Sequence, residues 1–160
     1  MGKEPGEGRL RCIVSGGQTG VDRGALDAAI AAGVSHGGWC PRGRLAEDGP
    51  IAARYQLRET RSAKYSIRTR KNVLDSDATL ILCRGPLTGG TDLTNRLALH
   101  HAKPCLVVDL QQDPDAAEVR RWMEAHHIGV LNVAGPRESS HPGIADQTYH
   151  FLLRVLIEPF

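Results

Sequence analysis

A short apolar run that breaks into a glycine-rich turn constrains the fold of this chain more than any other stretch. Residues 12–15 have the β-branched, apolar character of a buried strand, and residues 21–33 suit a helix of small residues that ends on glycine. The glycines between them let a ligand approach the open N-terminus of the helix, where free N–H groups and the helix dipole favour anions. The pattern therefore predicts an anion site formed by Gly16, Gly17, Gln18, Thr19 and Gly20.

The spacing of these glycines does not match two familiar nucleotide-binding motifs. They do not form G-x-G-x-x-G, and no Gly-Lys-Ser/Thr follows the turn, so the sequence does not support Walker-type ATP hydrolysis. The alternative to an anion site is a tight strand–helix turn in which the glycines serve only a positive φ.

Alternation of apolar runs and helical patterns predicts the fold class. Strands are predicted at residues 11–15, 37–40, 78–83, 105–109 and 129–133. Helices are predicted at residues 21–33, 66–75, 91–101, 114–127 and 143–156, and residues 41–64 are predicted to form a long loop. Such alternation is typical of an α/β fold with a three-layer, Rossmann-like parallel sheet and helices on both faces, where ligands bind at the carboxyl ends of the strands. We expect one such domain over residues 11–160, after a disordered leader at residues 1–10.

Composition disfavours several function classes. The 160 residues carry a formal net charge of +2, which is too small to predict bulk binding to nucleic acid or membranes. No apolar stretch is long enough to span a bilayer, and no signal peptide is visible. The four cysteines lack C-x-x-C spacing, and three lie in or beside apolar runs. They indicate buried thiols of a cytoplasmic protein rather than a disulfide framework or a zinc site.

A second glycine-rich junction follows the apolar run at residues 78–83. Gly89 and Gly90 allow close approach to the backbone, and Thr91 is predicted to cap the next helix while offering its hydroxyl to an anion. Two glycine-rich helix starts at one sheet edge strengthen the prediction of a phosphate or a similar anion. Thr88, Gly89, Gly90 and Thr91 are therefore candidate binding residues, and a plain turn with a cap is the alternative.

Basic residues are concentrated in one segment. Residues 42–71 contain nine basic residues and three acidic ones, in a chain whose net charge is only +2. Arginine suits bidentate recognition of phosphate or carboxylate. Arg42 and Arg44, beside Trp39 as a stacking platform, and Arg137, after the last strand, are candidates to hold a planar anionic ligand. Trp39 as a core residue is the alternative, and the scarcity of aromatic residues disfavours nucleic acid as a partner of this segment.

Polar residues near the predicted cleft keep more than one interpretation. Asp22 either orients the glycine turn, holds a cation beside a bound phosphate, or is a first-turn acid favoured by the helix dipole. Ser139 or Ser140 is predicted to cap the last helix. No G-x-S-x-G elbow is present, and the paired histidines lack the i, i+4 spacing of a zinc site. The sequence therefore assigns neither catalytic residues nor metal ligands.

Five stretches taken together resemble the molybdenum carrier proteins, a family in a circularly permuted branch of the SLOG superfamily. They are residues 16–27, 38–51, 68–81, 88–91 and 132–139, which read GGQTGVDRGALD, GWCPRGRLAEDGPI, RTRKNVLDSDATLI, TGGT and NVAGPRES. The resemblance covers nearly the whole chain from residue 11 and implies a parallel sheet of five or more strands in a homo-oligomer. It also implies a ligand, either molybdenum cofactor (a pterin carrying a phosphate and a molybdenum centre) or a related phosphorylated nucleotide.

The same resemblance favours a non-catalytic carrier. Related phosphoribohydrolases and lysine-decarboxylase-like proteins carry a Pro-Gly-Gly-x-Gly-Thr-x-x-Glu motif, whereas residues 87–94 read LTGGTDLT and lack the further glycine and the glutamate. The leading hypothesis is a binding protein for a phosphorylated small molecule, with molybdenum-enzyme apoproteins as receiving partners. The alternative is an enzyme that processes nucleoside monophosphates as the phosphoribohydrolases do.

Overall fold

The computed structural model describes residues 9–157, and the predicted leader lies outside them apart from residues 9 and 10. In chain order the strands are β1 (Cys12–Val14), β2 (Ser35–Gly37), β3 (Trp39–Cys40), β4 (Leu45–Ala46), β5 (Gly49–Pro50), β6 (Arg58–Glu59), β7 (Ala78–Cys83), β8 (Cys105–Asp109) and β9 (Val130–Ala134). The helices are α1 (Val21–Ala32), α2 (Tyr65–Asp75), α3 (Gly89–His100), α4 (Ala116–Ala125) and α5 (Ile144–Ile157), and one 3₁₀ turn covers Leu110–Gln112.

Five strands form one parallel sheet in the order β2-β1-β9-β7-β8. The inner strand β7 is buried along its whole length, as expected for a strand covered on both faces. Helix α5 packs against α1 and α4, whereas α2 packs against α3. These two groups cover opposite faces, because the right-handed crossovers through α1 and α3 lead to opposite edges of the sheet. The prediction of a three-layer, Rossmann-like α/β fold is confirmed.

The connections change direction between the adjacent strands β9 and β7. The chain leaves β9 for α5 on one face of the sheet and leaves β7 for α3 on the other. Where connections part in this way, a crevice opens at the carboxyl ends of the strands, and ligands bind there in open α/β sheets. The topology therefore places a crevice next to the loops that follow β1, β7 and β9.

Two apolar clusters hold the molecule together. The larger one joins the sheet to the helices, and Leu80, Leu131 and Leu152 within it are fully buried. The smaller one lies beneath the segment between β3 and β6 and consists of Leu26, Cys40, Ile51 and Tyr55. Because Leu26 of α1 belongs to this second cluster, the predicted long loop packs against that helix.

The structure differs from the sequence-based prediction over residues 37–64. The strand predicted at residues 37–40 is two strands, since β2 ends at Gly37 in the main sheet and β3 pairs with β6 outside it. The predicted loop also contains an antiparallel hairpin of β4 and β5. Strands of two residues are too short to show a hydrophobic period, so the sequence pattern gives no signal for them.

Both predicted side-chain caps are wrong. Helix α3 begins two residues earlier than predicted, so Thr91 lies within it and Thr88 occupies the N-cap position. At α5 the carboxylate of Glu138 accepts hydrogen bonds from the amides of Gly143 (2.6 Å) and Ala145 (3.0 Å), which is the role predicted for Ser139 or Ser140. A carboxylate satisfies exposed helix amides as a hydroxyl does and also interacts favourably with the helix dipole.

The described residues contain neither disulfides nor membrane spans. All four cysteines are free thiols, with Cys40 and Cys83 buried and Cys12 and Cys105 partly buried. Burial raises the pKa of the Cys105 thiol to about 11, so it stays protonated near neutral pH. No helix within residues 9–157 is long and apolar enough to cross a bilayer.

Replacing Gly24 with alanine is expected to destabilise the protein despite the higher helix propensity of alanine. A Cβ atom at Gly24 would lie 2.4 Å from the carbonyl oxygen of Ala145 and 3.1 Å from Cβ of Thr148, so α1 and α5 would have to separate. Overpacking of this kind costs about 1–3 kcal/mol, against a propensity gain of about 1 kcal/mol. Urea unfolding measures the resulting change in the free energy of unfolding. Gly90→Ala is the matched control, because a Cβ there meets nothing within 4 Å; equal effects of both substitutions would contradict the close contact.

Candidate functional site

A cavity of about 420 Å³ lies at the carboxyl ends of β1, β9 and β7, between these strands and the helices α2 and α3. Both glycine-rich junctions contribute to its wall, the first through Gly16 and Gln18 and the second through residues 88–91. Asp22 and Arg137 also line it. The structure thus brings together eight of the thirteen predicted binding residues around one cavity of a size typical for small-molecule sites.

The N-terminus of α3 forms one end of the cavity. The amides of Thr91 and Asp92 donate to the carbonyl oxygen of Thr88 (3.1 and 3.2 Å), which leaves the amides of Gly89 and Gly90 at the open end of the helix. A Cβ atom at either glycine would meet nothing within 4 Å. This end therefore offers backbone donors and the positive end of a helix dipole without a side chain in the way.

A buried ion pair forms the other end of the cavity. Nη1 of Arg68 lies 3.0 Å from Oδ2 of Asp22, and both side chains are nine-tenths or more buried. Oδ2 of Asp22 also accepts the amide of Gln18 at 3.3 Å, and Nε of Arg68 donates to the carbonyl oxygen of Tyr65 at 3.3 Å. Burial raises the pKa of the Asp22 carboxyl, an effect that Arg68 and the Gln18 amide oppose. Asp22 therefore orients the glycine turn, which is the first of the three roles considered for it in the sequence analysis.

Gly16 leaves room for Arg68, an arginine that the sequence analysis did not assign to the site. A Cβ atom at Gly16 would lie 1.8 Å from Nη1 of Arg68, so the guanidinium occupies the space that any side chain would need. Arg68 belongs to the basic segment, but neither its spacing nor its neighbours distinguish it from the other basic residues there. The role of Arg68 becomes apparent only from its burial in the folded structure. Its partner Asp22 is 46 residues away in the chain.

The rim of the cavity carries a second arginine beside an aromatic ring. The guanidinium carbon of Arg137 lies 5.9 Å from the centre of the Tyr65 ring, and that of Arg68 lies 5.3 Å from the same ring. Arg137 is partly exposed and its Nη1 is 3.8 Å from a carboxylate oxygen of Glu47. Asp22 compensates the charge of Arg68, so Arg137 carries the net positive charge of the residues that line the cavity, and Glu47 partly offsets it from outside the lining.

Three residues of the first glycine turn face away from this cavity. Gly17 lies under the segment between β5 and β6, where a Cβ atom would be 2.6 Å from Leu57. Thr19 and Gly20 line a separate, more open depression. A Cβ atom at Gly20 would lie 2.3 Å from the carbonyl oxygen of Pro136, so this glycine serves the contact between two loops. These three predicted binding residues contact neighbouring protein rather than the cavity.

The structure does not bring Arg42 and Arg44 into the cavity. Arg42 is exposed on the segment that follows β3. The guanidinium of Arg44 donates to four backbone carbonyls, those of Ile51, Ala52, Tyr55 and Leu57. Arg44 therefore organises its own loop. Trp39 also lies outside the cavity, where Nε1 donates to Asp75 at 2.7 Å and Lys71 lies 4.3 Å from the ring centre.

Glu47 fastens the β4–β5 hairpin to the loops that follow β1 and β9. Its carboxylate accepts hydrogen bonds from the hydroxyl of Thr19 and from the amide (3.1 Å) and hydroxyl (2.6 Å) of Ser139. These bonds, above all those from Ser139, hold the pKa of Glu47 below its usual value. The loop that carries Arg137 is thereby held in place by a side chain from outside the cavity.

Glu47→Gln is expected to lower the free energy of unfolding by about 1–2 kcal/mol near neutral pH, because hydrogen bonds to a charged group would be lost. The pKa of Glu47 is lower in the folded protein, so its ionised form stabilises the fold above the unfolded-state pKa, and this stabilisation disappears as the pH falls through the folded-state value. Urea unfolding should show a smaller difference in the free energy of unfolding between wild type and variant in strong acid than near neutral pH. Glu124→Gln, at an exposed position on α4, serves as the control; a difference that does not depend on pH would refute the role of the charge.

Within residues 9–157 no group of three or more histidine, cysteine, aspartate or glutamate side chains is arranged to hold a metal ion. Among the described residues that line the cavity, Asp22 is the one carboxylate, and Arg68 already pairs with it. The cavity therefore presents hydrogen-bond donors and positive charge, which suit an anionic ligand.

Comparison with known proteins gives two matches over nearly the whole chain. A model of the circularly permutated YpsA SLOG family matches residues 13–156. The solved structure of a protein named "Putative molybdenum carrier protein", from Syntrophus aciditrophicus SB, is 47% identical in sequence and superimposes with a TM-score of 0.87, covering 92% of this chain and 95% of the other. No curated protein matches the chain.

Proposed function

Because the chain belongs to the circularly permuted YpsA SLOG family, we propose that it is a binding or carrier protein for a phosphorylated small molecule. One observation carries the proposal. The amide groups at the start of α3 face the same cavity as Arg68 and Arg137, so donors and positive charge converge on one space. A phosphate group suits such a place, since it accepts several hydrogen bonds and carries negative charge.

The name of the solved relative supports a particular cargo. That protein is called a molybdenum carrier, and molybdenum cofactor combines a phosphate with a flat, polar ring. We propose molybdenum cofactor or a related nucleotide as the ligand, with the phosphate at Thr88, Gly89, Gly90 and Thr91 and the rim closed by Arg137. In this proposal the protein is a cytoplasmic homo-oligomer that delivers its cargo to molybdenum-enzyme apoproteins.

Binding is a better proposal than turnover. In residues 87–94 the position that a glutamate holds in the related hydrolase motif is taken by Thr94, whose hydroxyl donates to the carbonyl oxygen of Gly90 at 2.9 Å. Asp92, the acidic residue of this stretch, pairs with Arg96 on the outside of α3. Incubation with a nucleoside monophosphate followed by chromatography for the free base tests the enzyme alternative; sustained release of base would favour it.

Native mass spectrometry of the protein isolated from its own host tests the proposal most directly. We expect an additional mass that leaves on denaturation and contains phosphorus, with or without molybdenum. A second sample, washed free of ligand, should regain thermal stability on addition of inorganic phosphate, because a ligand that binds only the folded state raises its stability. If the protein retains no phosphorus-containing mass and inorganic phosphate does not stabilise it, the proposed function is contradicted.

A further inference from the structure

The two ends of the cavity are too far apart for one phosphate to contact both. The ion pair of Asp22 and Arg68 lies by the loop after β1, whereas the N-terminus of α3 follows β7, and β9 lies between these strands. Neighbouring strands are separated by about 4.8 Å, so the two ends lie about 10 Å apart across the sheet. A ligand that uses the whole cavity therefore places a different chemical group beside Asp22 and Arg68.

The end at Asp22 and Arg68 holds donors that lack acceptors. The two hydrogen bonds of Arg68 use Nε and Nη1, and its Nη2 takes no partner within residues 9–157. The neighbouring Gln18 is 6% exposed and lines the cavity, and its Nε2 also has no partner within the described residues, while its Oε1 accepts the amides of Thr19 and Glu47. Gln18 Nε2 is a buried donor without an acceptor, which is costly, so a bound ligand is expected to supply an acceptor here.

The same end also holds an acceptor, and its charge is balanced. Both hydrogen bonds of Asp22 are made through Oδ2, so Oδ1 is open to a further donor. Because the carboxylate compensates the guanidinium, a second phosphate would gain little from Arg68 and would be repelled by Asp22. A neutral group with a carbonyl oxygen next to an N–H satisfies both residues, since the oxygen accepts from Arg68 and the N–H donates to Asp22.

We propose that Asp22 and Arg68 read the cyclic amide of a planar ring, so that the ligand is a phosphorylated oxo-heterocycle such as an oxopurine nucleotide or a pterin. This inference rests on the proposed function, because it places the ring at one end of the cavity when the phosphate lies at the other. The ring of Tyr65, whose centre lies 5.3 Å from the guanidinium carbon of Arg68 and 5.9 Å from that of Arg137, lines the cavity and offers aromatic surface to the ring of the ligand.

Inosine monophosphate and adenosine monophosphate provide the test, because they differ only in the cyclic amide. Calorimetric titration of the full chain should show inosine monophosphate binding at least about tenfold more tightly, since adenosine monophosphate lacks both the carbonyl oxygen that would accept from Arg68 and the ring N–H that would donate to Asp22. Inosine and adenosine without phosphate should keep this preference and bind more weakly. Equal binding of the two monophosphates, both tighter than the nucleosides, would overturn the ring inference and leave the phosphate proposal standing.

Two other outcomes separate the claims. If inosine binds more tightly than adenosine but neither monophosphate binds more tightly than its nucleoside, the ring inference is supported and the proposed function is contradicted. Absence of binding by all four compounds would overturn both.

A matched pair of variants assigns the preference to Arg68. Arg68→Lys keeps the charge but removes the planar fork, so the preference for inosine monophosphate should fall below about threefold. Arg70→Lys makes the same change at an exposed position of α2 and should retain the full preference. A preference unchanged in Arg68→Lys would refute the assignment, and if this variant does not fold, the comparison of ligands on the wild-type chain decides the inference.

Discussion

Replacing Gly90 with aspartate is expected to abolish phosphate binding while leaving the protein folded. Gly90 lies in the first turn of α3, and a side chain there would extend into open space at the end of the cavity. An acidic residue in the first turn stabilises a helix by about 0.3–1 kcal/mol. A like charge about 4 Å from a bound phosphate costs about 4 kcal/mol at an effective dielectric constant of about 20, so affinity for inorganic phosphate should fall at least about 100-fold.

Gly90→Asn distinguishes charge from size in this experiment. Asparagine has the shape of aspartate without its charge, so this variant should retain affinity for phosphate within about tenfold of the wild type. Calorimetry with inorganic phosphate gives the affinities, and thermal melts without ligand show whether each variant is folded. Intact binding in Gly90→Asp would remove the start of α3 from the site, and equal loss in both variants would attribute the effect to volume alone.

Replacing Arg68 with methionine is expected to produce the largest loss of stability of any single change proposed. The substitution leaves the carboxylate of Asp22 buried without its cation, and breaking a buried ion pair in this way costs about 3–5 kcal/mol. Burial already raises the pKa of Asp22, and removal of the opposing cation would raise it further. Protonation then relieves the unpaired charge, so the loss measured by urea unfolding should be smaller at acidic pH and grow as the pH rises.

The double variant Asp22→Asn with Arg68→Met tests whether the unpaired charge causes this loss. It replaces the ion pair by two neutral side chains, so it should be more stable than Arg68→Met alone by at least about 1.5 kcal/mol at neutral pH. Arg70→Met, at an exposed position of the same helix, should change stability by less than about 0.5 kcal/mol. If the effects of the two substitutions at the pair simply add, coupling between Asp22 and Arg68 contributes nothing to stability.

The glycine-rich junctions show where sequence reasoning worked. A turn at the end of one parallel strand lies at the same sheet edge as the turn after a neighbouring strand, so the alternation of elements was enough to bring Gly16 and Gly90 to one cavity. The alternation of elements does not determine the direction in which each glycine faces. Gly17 and Gly20 have the same local sequence character as Gly16, yet contacts with distant loops direct them away from the cavity.

The arginines show where the sequence-based prediction failed. Arg42 and Arg44 stand in a glycine- and proline-rich segment that has the composition of a binding loop, but Arg44 uses its donors to close that loop on itself. Arg68 was one basic residue among nine in its segment. Its burial depends on Asp22, and a pair separated by 46 residues leaves no pattern in a single sequence.

The strand–helix alternation, the parallel sheet and the two glycine-rich helix starts follow from the residue pattern, because each depends on the period of apolar residues and on the backbone freedom of glycine. Which side chains meet at the cavity depends instead on how distant parts of the chain pack together. The ion pair of Asp22 and Arg68, the closure of the Arg44 loop and the attachment of the hairpin by Glu47 all join residues distant in the chain. Their contacts arise from packing in three dimensions, which local periodicity does not encode.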